Sequence, residues 1–112
     1  NVLKYLDASS YNMVGRVEVF DNNGPVDNLN ELEYINGAIY ANIYMKDAIV
    51  KIEPRTGKVL ARIDMKGLLS PEDYHNEIDV LNGIAYDAEG NRILVTGKRW
   101  PKVYHVSFEP VN

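Results

Sequence analysis

Apolar residues return at every second position along most of this chain, in short runs separated by turns. Residues 13–20, MVGRVEVF, show the pattern plainly: Val17 and Val19 point one way, Arg16 and Glu18 the other. That period of two predicts a half-buried strand. Residues 1–7 predict another strand, and residues 21–28, DNNGPVDN, read as loop. Leu29–Ile35 and residues 38–45 flank Asn36-Gly37. That pair tolerates the positive φ angles of a two-residue hairpin turn. Residues 49–53 and Val59–Asp64 follow, joined by PRTG at 54–57. Proline fixes the first corner of such a turn and glycine supplies positive φ at its end. Residues 29–64 thus predict four antiparallel strands in sequence.

The rhythm breaks at residues 66–79, where Ser70-Pro71-Glu72-Asp73 resembles a helix N-cap and predicts one helical turn. Strands then resume at 81–86, 92–96 and 102–108. This second set repeats the first: Leu29-Asn30 matches Leu81-Asn82, Tyr34 matches Tyr86 and Ile39 matches Ile93. Four-stranded meanders repeating at about 40–50 residues are the signature of a β-propeller. The predicted fold is therefore all-β, a single propeller domain over 1–112. Residues 1–20 give the outer strands of one blade, 29–64 a full blade, and 81–108 three strands of a further blade. A compact antiparallel sandwich of the same strands is the alternative. An incomplete propeller leaves sheet flanks uncovered, so self-association or completion by missing blades is expected.

Composition narrows the function. The chain has 12 Lys and Arg against 16 Asp and Glu, and its cations are scattered. A nucleic-acid surface needs a basic stripe to displace counterions, so no nucleic-acid partner is expected. No apolar run reaches the roughly 20 residues that span a bilayer. With no cysteine, thiolate metal sites, disulfides and a cysteine nucleophile are excluded. His75 and His105 lack metal-ligand spacing and read as surface residues. A start at Asn1 leads us to expect a processed or cut product.

The strings LNELEY, ANIY, DVLNGIA and VTGK-x-WPK, with the leading NVLKYLD and GRVEVFDNNGPVDN, carry a likeness. In order and spacing, the chain resembles the glutamine cyclotransferase family, the bacterial and plant-type glutaminyl-peptide cyclotransferases. The resemblance implies a five-bladed propeller with its active site at one end of the channel. It implies a secreted or periplasmic enzyme acting on peptides or proteins with N-terminal glutamine, without metal or cofactor. The α-amine attacks the γ-carboxamide carbon of the same residue, closing pyroglutamate and releasing ammonia. Such a reaction must take a proton from the amine and give one to the leaving group, a shuttle that a carboxylate suits. In the family that glutamate lies on an earlier blade, so this chain would hold no catalytic residue and would be inactive alone. A non-catalytic propeller acting as a binding scaffold is the other reading, because fold alone does not select function.

By motif position the family's pocket asparagine falls on Asn30, its pocket tryptophan on Tyr44 and its pocket lysine on Lys98. Tyrosine for tryptophan is a departure: the ring is smaller and carries a hydroxyl. The repeat points the same way. Aligning the two copies superposes Asn30 on Asn82 and Tyr44 on Lys98. The start of one hairpin strand and the end of the next share a rim, so all four should meet at one end of the channel. Each has a plainer reading. Asn30 and Asn82 could cap strand entries, Lys98 could be a solvated loop residue, and Tyr44 could pack between blades. Trp100 reads as packing a turn. Glu31 and Glu33, alternating with Leu32, read as a carboxylate pair bonded to neighbouring backbone.

Overall fold

The computed structural model describes residues 1–44, 46–66, 68 and 81–108, and every regular element among them is a strand. These are β1 (Val2–Leu6), β2 (Met13–Glu18), β3 (Phe20–Asp21), β4 (Gly24–Pro25), β5 (Leu29–Ile35), β6 (Ala38–Ile43), β7 (Ala48–Ile52), β8 (Val59–Asp64), β9 (Leu81–Asp87), β10 (Arg92–Gly97) and β11 (Tyr104–Val106). The predicted helical turn at 70–73 lies outside the described residues, as does Met45.

The central meander forms as its pattern predicts, one antiparallel sheet in the order β5-β6-β7-β8. Asn36 and Gly37 take φ values of 49° and 86°, the positive pair that a tight hairpin demands. Gly57 closes the β7–β8 turn at φ 79°. It has a second reason to be glycine: a Cβ there would lie 2.0 Å from the carbonyl oxygen of Glu18. The neighbouring segment is thus packed backbone against backbone on this turn, and the Phe20 N–H donates to the Gly57 carbonyl at 3.1 Å.

Alternation in the central sheet splits its side chains between two cores. Ile39, Ala41 and Ile43 of β6 join Ala48, Val50 and Ile52 of β7 on one face, packed with Leu3, Val19 and Val26. Ile49, from the opposite face of β7, packs with Leu81, Ile84 and Val95 of the last sheet. The central sheet is therefore covered on both sides, by β1-β2 on one and by β11-β10-β9 on the other. A sandwich would need only one buried face per sheet. Consecutive antiparallel sheets stacked face to face are the layering of propeller blades, and the architecture is that of a partial β-propeller.

Three departures from the pattern stand out. Strand β2 stops at Glu18, and Phe20 begins a separate two-residue pairing with Gly24–Pro25 inside the expected loop. Asp21 accepts the Asn23 N–H at 2.7 Å and Gly24 sits at φ 117°, so local turn chemistry makes a miniature hairpin. Strand β11 is shorter than residues 102–108, and ahead of it the Lys102 carbonyl is taken by the Thr96 hydroxyl at 2.7 Å. The third departure is a bulge in β5, and it shapes the candidate site.

Candidate site at the hairpin mouths

The β5–β6 ladder pairs Leu29 with Ile43 and Asn30 with Asn42, then resumes at Glu33 with Tyr40. Glu31 and Leu32 together oppose Ala41, a one-residue β-bulge, with Glu31 at φ 51°. The alternation that would set Glu31 and Glu33 on one face is broken between them, and the expected carboxylate pair does not form. The β9–β10 ladder pairs Leu81 with Gly97 and resumes at Ile84 with Val95. Asn82 and Gly83 there oppose Thr96. The same strand of both copies is thus bulged within one residue of the same place, beside the mouth of its hairpin. Bulges re-aim side chains and are common next to functional sites.

The predicted residues take their places around these mouths. Asn30 is half-buried within β5, and its Oδ1 accepts the Glu31 N–H at 3.0 Å. That is the local backbone bond of the capping reading, and it holds the left-handed turn of the bulge. Tyr44 lies one residue beyond the last β5–β6 pair. Its N–H donates to the Asn28 carbonyl at 2.6 Å, and the residue is 48% exposed. Lys98 occupies the equivalent position one residue beyond Gly97, exposed on the turn that follows β10. Arg99 at φ 63° and a bond from the Trp100 N–H to the Gly97 carbonyl at 3.1 Å shape that turn. Trp100 folds back over Gly97, where a Cβ would lie 2.1 Å from the indole, and meets Tyr104 edge-on. The tryptophan packs the turn beneath Lys98, as its place before Pro101 suggests. Asn82 lies in the bulge of β9, and its side chain is outside the described residues.

One contact relates the two mouths. Asn42 Oδ1 accepts the Gly83 N–H at 3.2 Å, joining the central sheet to the last. Asn42 is opposite Asn30 in the ladder, so their side chains share a face. Gly83 lies beside Asn82 at the start of β9. The beginnings of β5 and β9 therefore sit at one level, and both hairpins open toward one end of the stack. Asn42 is fully buried, and residue-type reasoning passed over it. Its signal was visible: one amide inside the otherwise apolar-aromatic strand AIYANI.

The strongly held carboxylates are elsewhere. Asp7 is kept below the ordinary value by the Ser10 and Ser9 N–H groups of its own turn. Partial burial pushes Glu53 up, but bonds from Thr56 and Arg55 outweigh it and leave it lowered. Asp87, held down first by the Arg92 side chain and then by the Gly90 N–H, closes the far turn of β9–β10. Each is committed to turn geometry. No cluster of three metal-ligating side chains occurs among the described residues, nor any helix long and apolar enough to cross a membrane.

The fold and these mouths define a propeller segment of a known kind. The chain belongs to the glutamine cyclotransferase family, whose model matches residues 1–108. It is 39% identical over 116 aligned residues to a glutaminyl-peptide cyclotransferase of Arabidopsis thaliana, covering all of this chain and 36% of that protein. It superposes on a glutaminyl cyclase of Myxococcus xanthus with a TM-score of 0.90 at 37% identity, covering 99% of this chain and 49% of that one. The chain thus spans about a third of the plant relative and about half of the bacterial one.

Proposed function

We propose that this chain is part of a glutaminyl-peptide cyclotransferase that converts N-terminal glutamine to pyroglutamate with release of ammonia. The observation that carries this reading is the placement of the family's strings: LNELEY, ANIY and VTGK all reach the same end of two stacked hairpins. In this reading Asn30 bonds the substrate amide or backbone, and Tyr44 packs against the glutamine side chain. Lys98 faces the carboxamide oxygen, where a fixed positive charge stabilises the negative charge that develops as the amine adds. Ring closure is intramolecular, so holding the chain end in an attacking pose removes much of the entropic barrier.

The proton must move from the attacking amine to departing ammonia, a task for a carboxylate on a blade outside this chain. The complete protein is then a five-bladed propeller. This chain supplies the outer part of one blade (1–20), one whole blade (29–64) and three strands of a third (81–108). Extracellular or periplasmic placement suits a reaction on mature peptide ends.

Incubating the complete protein with a glutamine-initiated peptide and following ammonia tests the reading. Turnover well above the spontaneous rate is expected, and its absence would refute the enzyme. This chain alone should show none. Lys98→Ala in the complete protein should lower kcat by about 10²-fold, the usual loss for a removed transition-state donor, with little change in folding. An unchanged rate would return Lys98 to the solvated-loop reading.

A further inference from the structure

We infer that Asn42 is a positioning residue for this site, fixing the mouth of the β5–β6 hairpin against the mouth of β9–β10. The inference rests on the cyclotransferase reading for what is positioned, but its observations are independent of that reading. The candidate ligand groups come from two different sheets: Asn30 and Tyr44 from the central one, Lys98 from the last. Those sheets meet largely through apolar contacts among Ile49, Leu81, Ile84 and Val95. Apolar contact is non-directional and does not by itself set the height of one sheet against its neighbour. A reactive site tolerates errors of only about 0.5 Å. The Asn42 Oδ1 to Gly83 N–H bond is directional, and it crosses from sheet to sheet at the level of both bulges.

Its connections reach all three candidate residues by short routes. Asn42 is the ladder partner of Asn30 and lies two residues before Tyr44. Gly83 sits in the bulge opposite Thr96, which lies two residues before Lys98. Thr96 also occupies Asn42's position in the second copy. There its hydroxyl donates to the Lys102 carbonyl, anchoring the turn that carries Lys98. Both copies thus place a bonded polar side chain directly behind the residue at the hairpin mouth.

Packing alone gives no reason for this amide. Asn42 is fully buried and its Nδ2 has no hydrogen-bond acceptor among the described residues. Such a group costs stability, but Asn42→Leu, which removes it, also takes the acceptor from the Gly83 N–H, so the two changes oppose each other in Tm. Kinetics therefore separate the two roles. If Asn42 serves only stability, Asn42→Leu should leave the kinetics of the folded enzyme alone. If it positions the mouths, the site loosens and kcat/KM falls in protein that is still folded.

The test uses the complete protein, a glutamine-initiated peptide and thermal melts beside the kinetics. Asn42→Leu is expected to melt well above the assay temperature and to lose at least about tenfold in kcat/KM, with KM raised as well as kcat lowered. A folded Asn42→Leu with wild-type kcat/KM and KM overturns the inference. Should Asn42→Leu fail to fold, Asn42→Asp decides, because it keeps an oxygen at the Oδ1 position. A buried carboxyl stays neutral toward low pH. Activity near wild type on the acid side that falls as pH rises, relative to the wild-type profile, supports the inference; an equal loss at every pH overturns it. Failure of the two ideas is distinguishable. An inactive wild type sinks the cyclotransferase reading and this inference with it, whereas an active wild type with an indifferent Asn42 sinks only the inference.

Discussion

Gly57 shows how one residue can carry two demands that sequence pattern reveals only in part. PRTG announces a turn, and the turn explains φ 79°. It does not announce that Glu18, far away in the chain, lays its backbone against the same position. Gly37 is the natural control, at φ 86° with no atom within 4 Å of where a Cβ would be. Gly37→Ala should cost only the left-handed penalty of roughly 1–2 kcal/mol. Gly57→Ala adds a Cβ 2.0 Å from the Glu18 carbonyl oxygen, so the first sheet must shift off the turn. Its Tm in the complete protein should fall by clearly more than that of Gly37→Ala, and equal losses would show that the contact carries no strain. Asn42 makes the same point for the site. Asn30, Tyr44 and Lys98 could be nominated because motif and repeat both mark them. Asn42 is marked only as an amide inside an apolar strand; its role comes from Gly83 on another sheet, and no local spacing encodes that meeting.

At the scale of elements, strands were the most legible part, because a period of two reports directly which faces are covered. The runs at Leu29–Ile35 and Val59–Asp64 coincide with β5 and β8. The bulges were not legible: inserting one residue leaves composition and approximate alternation intact while redirecting every side chain around it. The turns themselves were legible, but the charge contacts that hold them were not. The β9–β10 turn is a case in point. Asp87 pairs across the ladder with Arg92, receives its guanidinium, and accepts the Gly90 N–H at 3.3 Å. These bonds lower the carboxyl below its ordinary 3.8. A group depressed in the folded state binds its proton more readily when unfolded. Its contribution is therefore present above the ordinary value and is lost as pH falls through it toward the folded value. Asp87→Asn should then lower stability at neutral pH and flatten the loss as pH falls through 3.8 and below, read from denaturant midpoints. A variant that tracks the wild type across that range would show the ion pair to be an inert surface contact, as many are.

For the whole molecule, the question is what covers the outer layers. Among the described residues the central sheet has a neighbour on each face, and the first and last sheets have one each. The inward face of β1-β2 holds Leu3 and Val17, while Leu6, Met13 and Val14 are exposed. Lys4 and Arg16 pair across this hairpin and both are exposed, so the flank is mixed rather than uniformly apolar. On the last sheet Ala85, Leu94 and His105 align across three strands, with Ala85 and His105 exposed. Beyond these faces, β1 and β11 each have one edge without a strand partner among the described residues. An edge of that kind offers free backbone donors and acceptors to any strand that reaches it. Together these features predict that the isolated chain does not remain a monomer. Size-exclusion chromatography with light scattering, run over a range of concentrations, should show dimers or larger species that grow with concentration. Interspersed charge on the β1-β2 flank makes part of that association salt-dependent, whereas edge pairing is not. Raising ionic strength should therefore change the distribution without abolishing it. A sharp monomer peak at every concentration, with the chain folded, would mean that two outer sheets can stand uncovered, and the expectation of missing blades would lose its physical support.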